Sequence, residues 1–160
     1  MNNDELYIDL QWGVAEEAIP TLEQCKRWVR ASLQDAKNSQ EIELAIRIVD
    51  AEESQTLNRE YRGKDKPTNV LSFEFEQPPG FQEMGEAFPY LGDLVICTSI
   101  VKAEAEQHNK PLEAHWAHMI VHGTLHLQGY DHIQEHEAEE MEALEINIMH
   151  SLGYANPYEG

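Results

Sequence analysis

Eleven residues constrain this chain more than any others: His122-Gly123-Thr124-Leu125-His126-Leu127-Gln128-Gly129-Tyr130-Asp131-His132. The pattern is H-x3-H-x2-G-x2-H. His122 and His126 stand one helical turn apart, so a helix puts both imidazoles on one face. His132, on a continued helix, would point away from that face. The chain must stop and turn back if the third imidazole is to join the other two. Gly129 is placed for this, because a residue at positive φ just beyond His126 ends a helix and reverses the chain. Three histidines with a fourth position open is the arrangement of a catalytic zinc rather than a structural one. His122, His126 and His132 are therefore the expected ligands of one zinc ion per chain. Imidazole also suits nickel, copper and iron, among which geometry decides.

Seven of the eight histidines lie between His108 and His136. His115 and His118 share the helix face of His122 and His126, the four spanning an arc of about 80°. They are read either as packed structural residues or as supports and substrate contacts of the site. Asp131 either orients a ligating imidazole or caps a turn. His136 and His150 are expected on the surface of the last helix.

A chain of 160 residues suits one domain with one core. No apolar run reaches the ~20 residues that span a membrane. The acidic start, MNNDELYIDL, lacks the basic and apolar regions of a secretory signal, so the cytoplasm is the expected compartment. Cys25 and Cys97 are far apart in apolar surroundings and read as buried, reduced thiols. A metal site must then be built from histidines and carboxylates. The formal net charge of -19 repels nucleic acid at long range. Yet four of the 11 Lys and Arg are Arg59, Arg62, Lys64 and Lys66, a local basic stretch inside that negative field.

Hydrophobic periodicity orders the elements. Leu6 to Trp12 alternates as a strand, and Pro20-Thr21 opens a helix to about Gln34. Glu41 to Val49 alternates strictly, with Ile42, Leu44, Ile46 and Ile48 on one face. Asp50 caps a helix that stops at Gly63, with Glu53 in capping-box position. Strands follow at Asn69 to Glu76 and Leu91 to Ile96, separated by a Pro- and Gly-containing loop over Gln77 to Pro89. In the first of these, Val70, Ser72, Glu74 and Glu76 oppose Leu71, Phe73 and Phe75. Helices are expected from Thr98 to His108, Leu112 to Gln128 and Gln134 to Leu152. The last has Met141, Leu144, Ile148 and Leu152 on one stripe. The order β-α-β-α-β-β-α-α-α implies an α+β single domain. A small mixed β-sheet of about four strands packs with about five α-helices around a metzincin-like metal site.

The spacing of the histidines is that of metzincin proteases, H-E-x-x-H-x-x-G-x-x-H. Here Gly123 stands where the glutamate base belongs, and loss of a positioned base costs about 10²–10⁴ in rate. Glycine at that position allows close approach of a substrate or of neighbouring backbone. The basic stretch bears on the choice of substrate. Arginine offers a planar fork to phosphate oxygens and lysine a point charge. A solvated helix end with cations complementing the dipole is the plainer alternative.

The eleven-residue string resembles the signature H-G-x-L-H-L-x-G-Y-D-H of the YbeY family of bacterial endoribonucleases. The segment Leu57 to Phe73 is similar to the family's second hallmark, L-N-x-x-Y-R-x-K-D-x-P-T-D/N-V-L-S-F, with Asn at position 69. The Leu91-Gly92-Asp93 strand fits as well, and the resemblance runs from about Ile42 to Leu152. Glu74 departs from the proline often found after that phenylalanine. The resemblance implies a cytoplasmic, zinc-dependent, single-strand-specific endoribonuclease. Its work would be ribosomal RNA processing, notably 3′-end maturation of the 16S small-subunit RNA, and ribosome quality control. It implies zinc on His122, His126 and His132 and a catalytic role for Arg62. Lys64 and Lys66 become candidate RNA-backbone contacts, and Asp93 a candidate acidic partner near the site. The implied partners are single-stranded and ribosomal RNA together with ribosomal or ribosome-associated proteins, and no membrane. Two rivals stand beside this reading. One is a metzincin-like metallopeptidase; the other is a non-catalytic ribosome assembly factor with a structural metal, in which partner proteins supply much of the affinity.

Overall fold

The computed structural model describes residues 6–15, 20–33, 42–74, 90–130 and 135–158. Nine elements follow in chain order: β1 (Leu6–Trp12), α1 (Leu22–Ser32), β2 (Ile42–Val49), α2 (Ala51–Arg62), β3 (Val70–Glu74), β4 (Tyr90–Cys97), α3 (Thr98–Gln107), α4 (Leu112–Leu127) and α5 (Glu135–Ser151). The order and type match the periodicity. The far end of the Asn69–Glu76 strand and the Gln77–Pro89 loop fall outside the described residues.

The strands form one sheet in the order β1-β2-β4-β3. β1 pairs with β2 and β2 with β4 in parallel, while β3 runs antiparallel to β4. The sheet is mixed because the β1–β2 and β2–β4 connections each contain a helix, the geometry that parallel strands require. The alternation of β2 now has a meaning. Ile42, Leu44, Ile46 and Ile48 enter the main core with α1, α4 and α5. On the other face of the sheet, Val49, Leu71, Val95 and Cys97 form a smaller cluster with Leu57 of α2.

Helix termini follow local chemistry. Thr21 and Gln24 form a reciprocal capping box at the start of α1. At α2 only half of the expected box forms. The Asp50 side chain accepts from the Glu53 N–H at 2.9 Å. The Glu53 carboxylate instead takes Arg47 of β2, at 2.8 Å and 3.3 Å. A charge-assisted pair to a neighbouring strand outcompetes the return bond to the Asp50 backbone. Gly63 ends α2 at φ 73°.

α4 is the central element. From His115 to Leu127 every residue is buried except His122 and His126, which are partly exposed. Such a helix has no polar face to give to water, so its two half-exposed histidines mark where the interior opens. Gly92 brings β4 close enough to support that helix. It follows a register shift against β2 and adopts φ 149°, where an added Cβ would lie 2.3 Å from the Phe73 carbonyl oxygen and 2.8 Å from Leu127 Cδ2. Gly92→Ala is expected to cost about 2–3 kcal/mol through overpacking and backbone strain. A lowered urea midpoint at unchanged slope would report it.

Candidate metal centre

The end of α4 is built as the glycine spacing predicts. The Gly129 N–H donates to the His126 carbonyl at 3.0 Å and the Tyr130 N–H to the Leu125 carbonyl at 3.1 Å. Gly129 itself has φ 100°. This paired termination satisfies the last carbonyls and reverses the chain. Asp131 and His132, which follow, lie outside the described residues.

His122 and His126 converge. Their Nε2 atoms are 3.2 Å apart, and their rings meet edge to face with centroids 4.6 Å apart. Two nitrogens each ~2.0–2.1 Å from a tetrahedral zinc are separated by roughly 3.3 Å. The pair is therefore spaced as an edge of that tetrahedron, and the donor set fits zinc.

Behind His122 lies a carboxylate. Glu145 of α5 is fully buried. Its Oε2 accepts from His122 Nδ1 at 2.5 Å, and its Oε1 accepts from His118 Nε2 at 3.2 Å and from the Tyr158 hydroxyl. Burial alone would push this carboxyl up. The hydrogen bonds from His118, His122 and Tyr158 outweigh it and hold Glu145 at about 2, well below the usual carboxylate range. Tyr158 is raised in turn, first by burial and then by its bond to Glu145. Among the described residues His118, His122 and Glu145 also bring three ligand-type atoms within 4.8 Å of one another, a set able to hold a metal. His115 is spoken for elsewhere: its Nε2 meets Glu104 at 2.9 Å, and burial lowers its pKa.

A cleft of about 500 Å³ opens over the two histidines. Arg62, Thr68, Asn69, Val70, Ser72, Glu74, Gly129 and Tyr130 complete its lining. Arg62 reaches it because α2 ends at Gly63. The β3 face that alternation grouped together, Val70, Ser72 and Glu74, forms one wall. Asn69 is held there by Glu104, at 3.2 Å and 3.3 Å from its two carboxylate oxygens. Lys64 and Lys66 are exposed in the turn after α2 and do not line this cleft. Asp93 is not near the histidines. It lines the depression on the opposite face of the sheet, where its carboxylate accepts from the Tyr90 hydroxyl.

Gly123 faces the sheet rather than the cleft. An added Cβ would stand 2.7 Å from Leu94 Cδ2 and 3.4 Å from Ser72 Oγ. The close approach it permits is to strands β3 and β4. Glu145 is the residue that sequence reasoning missed. It stands four residues after Met141 and three before Ile148, inside the apolar stripe of α5, where a charge must find a partner.

The chain matches the family described as Endoribonuclease YbeY over residues 13–153. It is 59% identical over 146 residues to the Endoribonuclease YbeY of Hydrogenovibrio crunogenus, covering 91% of each chain. In fold it is similar to the solution structure of TM1509 from Thermotoga maritima. The TM-score is 0.51 at 22% identity, over 96% of this chain and 99% of that one.

Proposed function

Because the chain belongs to the endoribonuclease YbeY family, and so is a hydrolase acting on RNA, we propose that it is a zinc-dependent, single-strand-specific endoribonuclease of ribosomal RNA processing. We propose His122, His126 and His132 as the ligands of one zinc ion, in a site of metzincin-like spacing within a single domain spanning residues 1–160. The observation behind this reading is the convergence of His122, His126 and Arg62 on one cleft. The Gly129 turn supports the third ligand, since it stands three residues after His126 and ends α4, so that His132 need not continue the helix. Bound there, zinc supplies Lewis-acid polarisation of a phosphate ester and of water.

The protein's own groups do the rest. Arg62 presents its fork to the phosphate and offsets charge developing on the oxygens. Asn69 and Ser72 offer polar contacts along the β3 wall. A cleft of about 500 Å³ takes up a short stretch of flexible strand, whereas a rigid duplex meets only its rim. Lys64 and Lys66, outside the cleft, are placed to hold the RNA backbone where it leaves. With a net charge of -19, long-range attraction to RNA is absent. Ribosomal or ribosome-associated proteins in the cytoplasm are the partners that would bring enzyme and substrate together. No helix among the described residues is long and apolar enough to cross a membrane.

Zinc-loaded protein and its Arg62→Ala variant, each incubated with single-stranded RNA, duplex RNA and casein, test this reading. Cleavage is expected of single-stranded RNA alone, falling about 10²–10³-fold in the variant at an unchanged unfolding midpoint, because Arg62 is exposed. Casein cleavage without RNA cleavage, or an Arg62→Ala variant as active as the parent, would refute it.

A further inference from the structure

The contacts around His122 point beyond the ligands. An imidazole that binds a metal through one nitrogen leaves the other to be held by the protein, and that second contact decides the ring's tautomer and orientation. Here the nitrogen of His122 that faces His126 is Nε2, and the one that faces Glu145 is Nδ1. The two ring nitrogens point in divergent directions, so the carboxylate sits behind the ring and the ion would sit in front of it.

Glu145 cannot swing away easily. Its side chain is fully buried, and its second oxygen accepts from both His118 and Tyr158. The Tyr158 ring also packs edge-on against His118, with centroids 5.3 Å apart. Three donors from α4 and the segment after α5 thus clamp one carboxylate. A carboxylate accepting three hydrogen bonds is committed as an acceptor. To ligate a metal between His118 and His122 it would have to give those bonds up.

We propose that Glu145 is the positioning residue of the metal centre, holding His122 as the Nδ1–H tautomer with its Nε2 turned to the ion. The proposal rests on the three-histidine reading above. In this role Glu145 touches neither substrate nor metal. It removes the rotational freedom of the ring, so that zinc would meet a preformed ligand. His118 and Tyr158 act one step further back, by keeping the carboxylate in place.

Two measurements test it. Long-range ¹H–¹⁵N correlation of the imidazoles in metal-free protein is expected to show His122 as the Nδ1–H tautomer. Zinc affinity, read by competition with a chromogenic chelator, is expected to fall about 10–100-fold in Glu145→Gln. Stoichiometry should stay at one and near-ultraviolet circular dichroism should stay native. An Nε2–H tautomer at His122, or a folded Glu145→Gln with parental affinity, overturns the proposal. Loss of zinc as complete as in His126→Ala overturns it too, by making Glu145 a ligand. Should Glu145→Gln not fold, the tautomer in the parent protein decides. Parental zinc affinity in His126→Ala would instead bring down the three-histidine reading, a result distinct from failure at Glu145.

Discussion

His126→Ala is expected to abolish stoichiometric zinc and to lower cleavage of single-stranded RNA by at least about 10³-fold. The size follows from the several kcal/mol of charge stabilisation that a catalytic metal contributes, each ~1.4 kcal/mol being a factor of ten. The fold should survive, because His126 is only partly buried and lies at the last turn of α4. Glu145 would still be satisfied by His118, His122 and Tyr158. Elemental analysis after dialysis measures the first effect and a gel assay the second. Thermal unfolding supplies a further readout. Zinc at a thousandfold excess over its Kd stabilises a native site by about 4 kcal/mol, so the parent should melt higher with zinc and the variant should not respond. A variant that keeps one zinc and full activity would remove His126 from the site.

Gly123→Glu is the second large effect, and it separates the two hydrolase readings. If the chain were a peptidase that had lost its base, restoring the glutamate would restore a proteolytic motif. The packing says otherwise. Position 123 is buried against the sheet, and even a methyl group would press on Leu94, itself fully buried. A glutamate there must either enter the core as an unpaired charge or push α4 off β3 and β4. The expected cost is about 4 kcal/mol or more. For a domain of this size each kcal/mol lowers the melting temperature by about 2–4 °C, so a fall of about eight degrees or more is expected by calorimetry. A stable Gly123→Glu protein that cleaves casein would revive the peptidase reading.

What was legible in the sequence was legible for local reasons. Alternation in β2, the Asp50 and Gly63 ends of α2, and the helix stop at Gly129 all depend on neighbours a few residues away, and all are found as read. The capping box expected of Glu53 forms only in half because Arg47, six residues earlier on β2, takes its carboxylate, and a charge pair outweighs a backbone bond. Asp93 was placed near the histidines by its motif. Strand parity sends it to the other face of the sheet, opposite Phe73, and the motif alone does not reveal which face α4 covers. The position of Gly123 explains itself only once Leu94 is seen beneath it. Glu145 left a signal, an acid inside an apolar stripe, but its two histidine partners lie more than 20 residues earlier on α4. Pairings of that range depend on how the helices dock.

The contact from Tyr158 to Glu145 has a bearing on when the protein becomes able to act. Chains fold as they are made, N-terminal parts first. The strands, α4 and both of its cleft histidines precede α5 in synthesis, whereas the carboxylate proposed to steady His122 and the tyrosine bonded to that carboxylate arrive after them. On the proposed three-histidine reading, a nascent chain would possess its ligands before it possesses their geometry. For an enzyme that cuts RNA, and is itself made on a machine built of RNA, that order would keep zinc weakly held until α5 has docked.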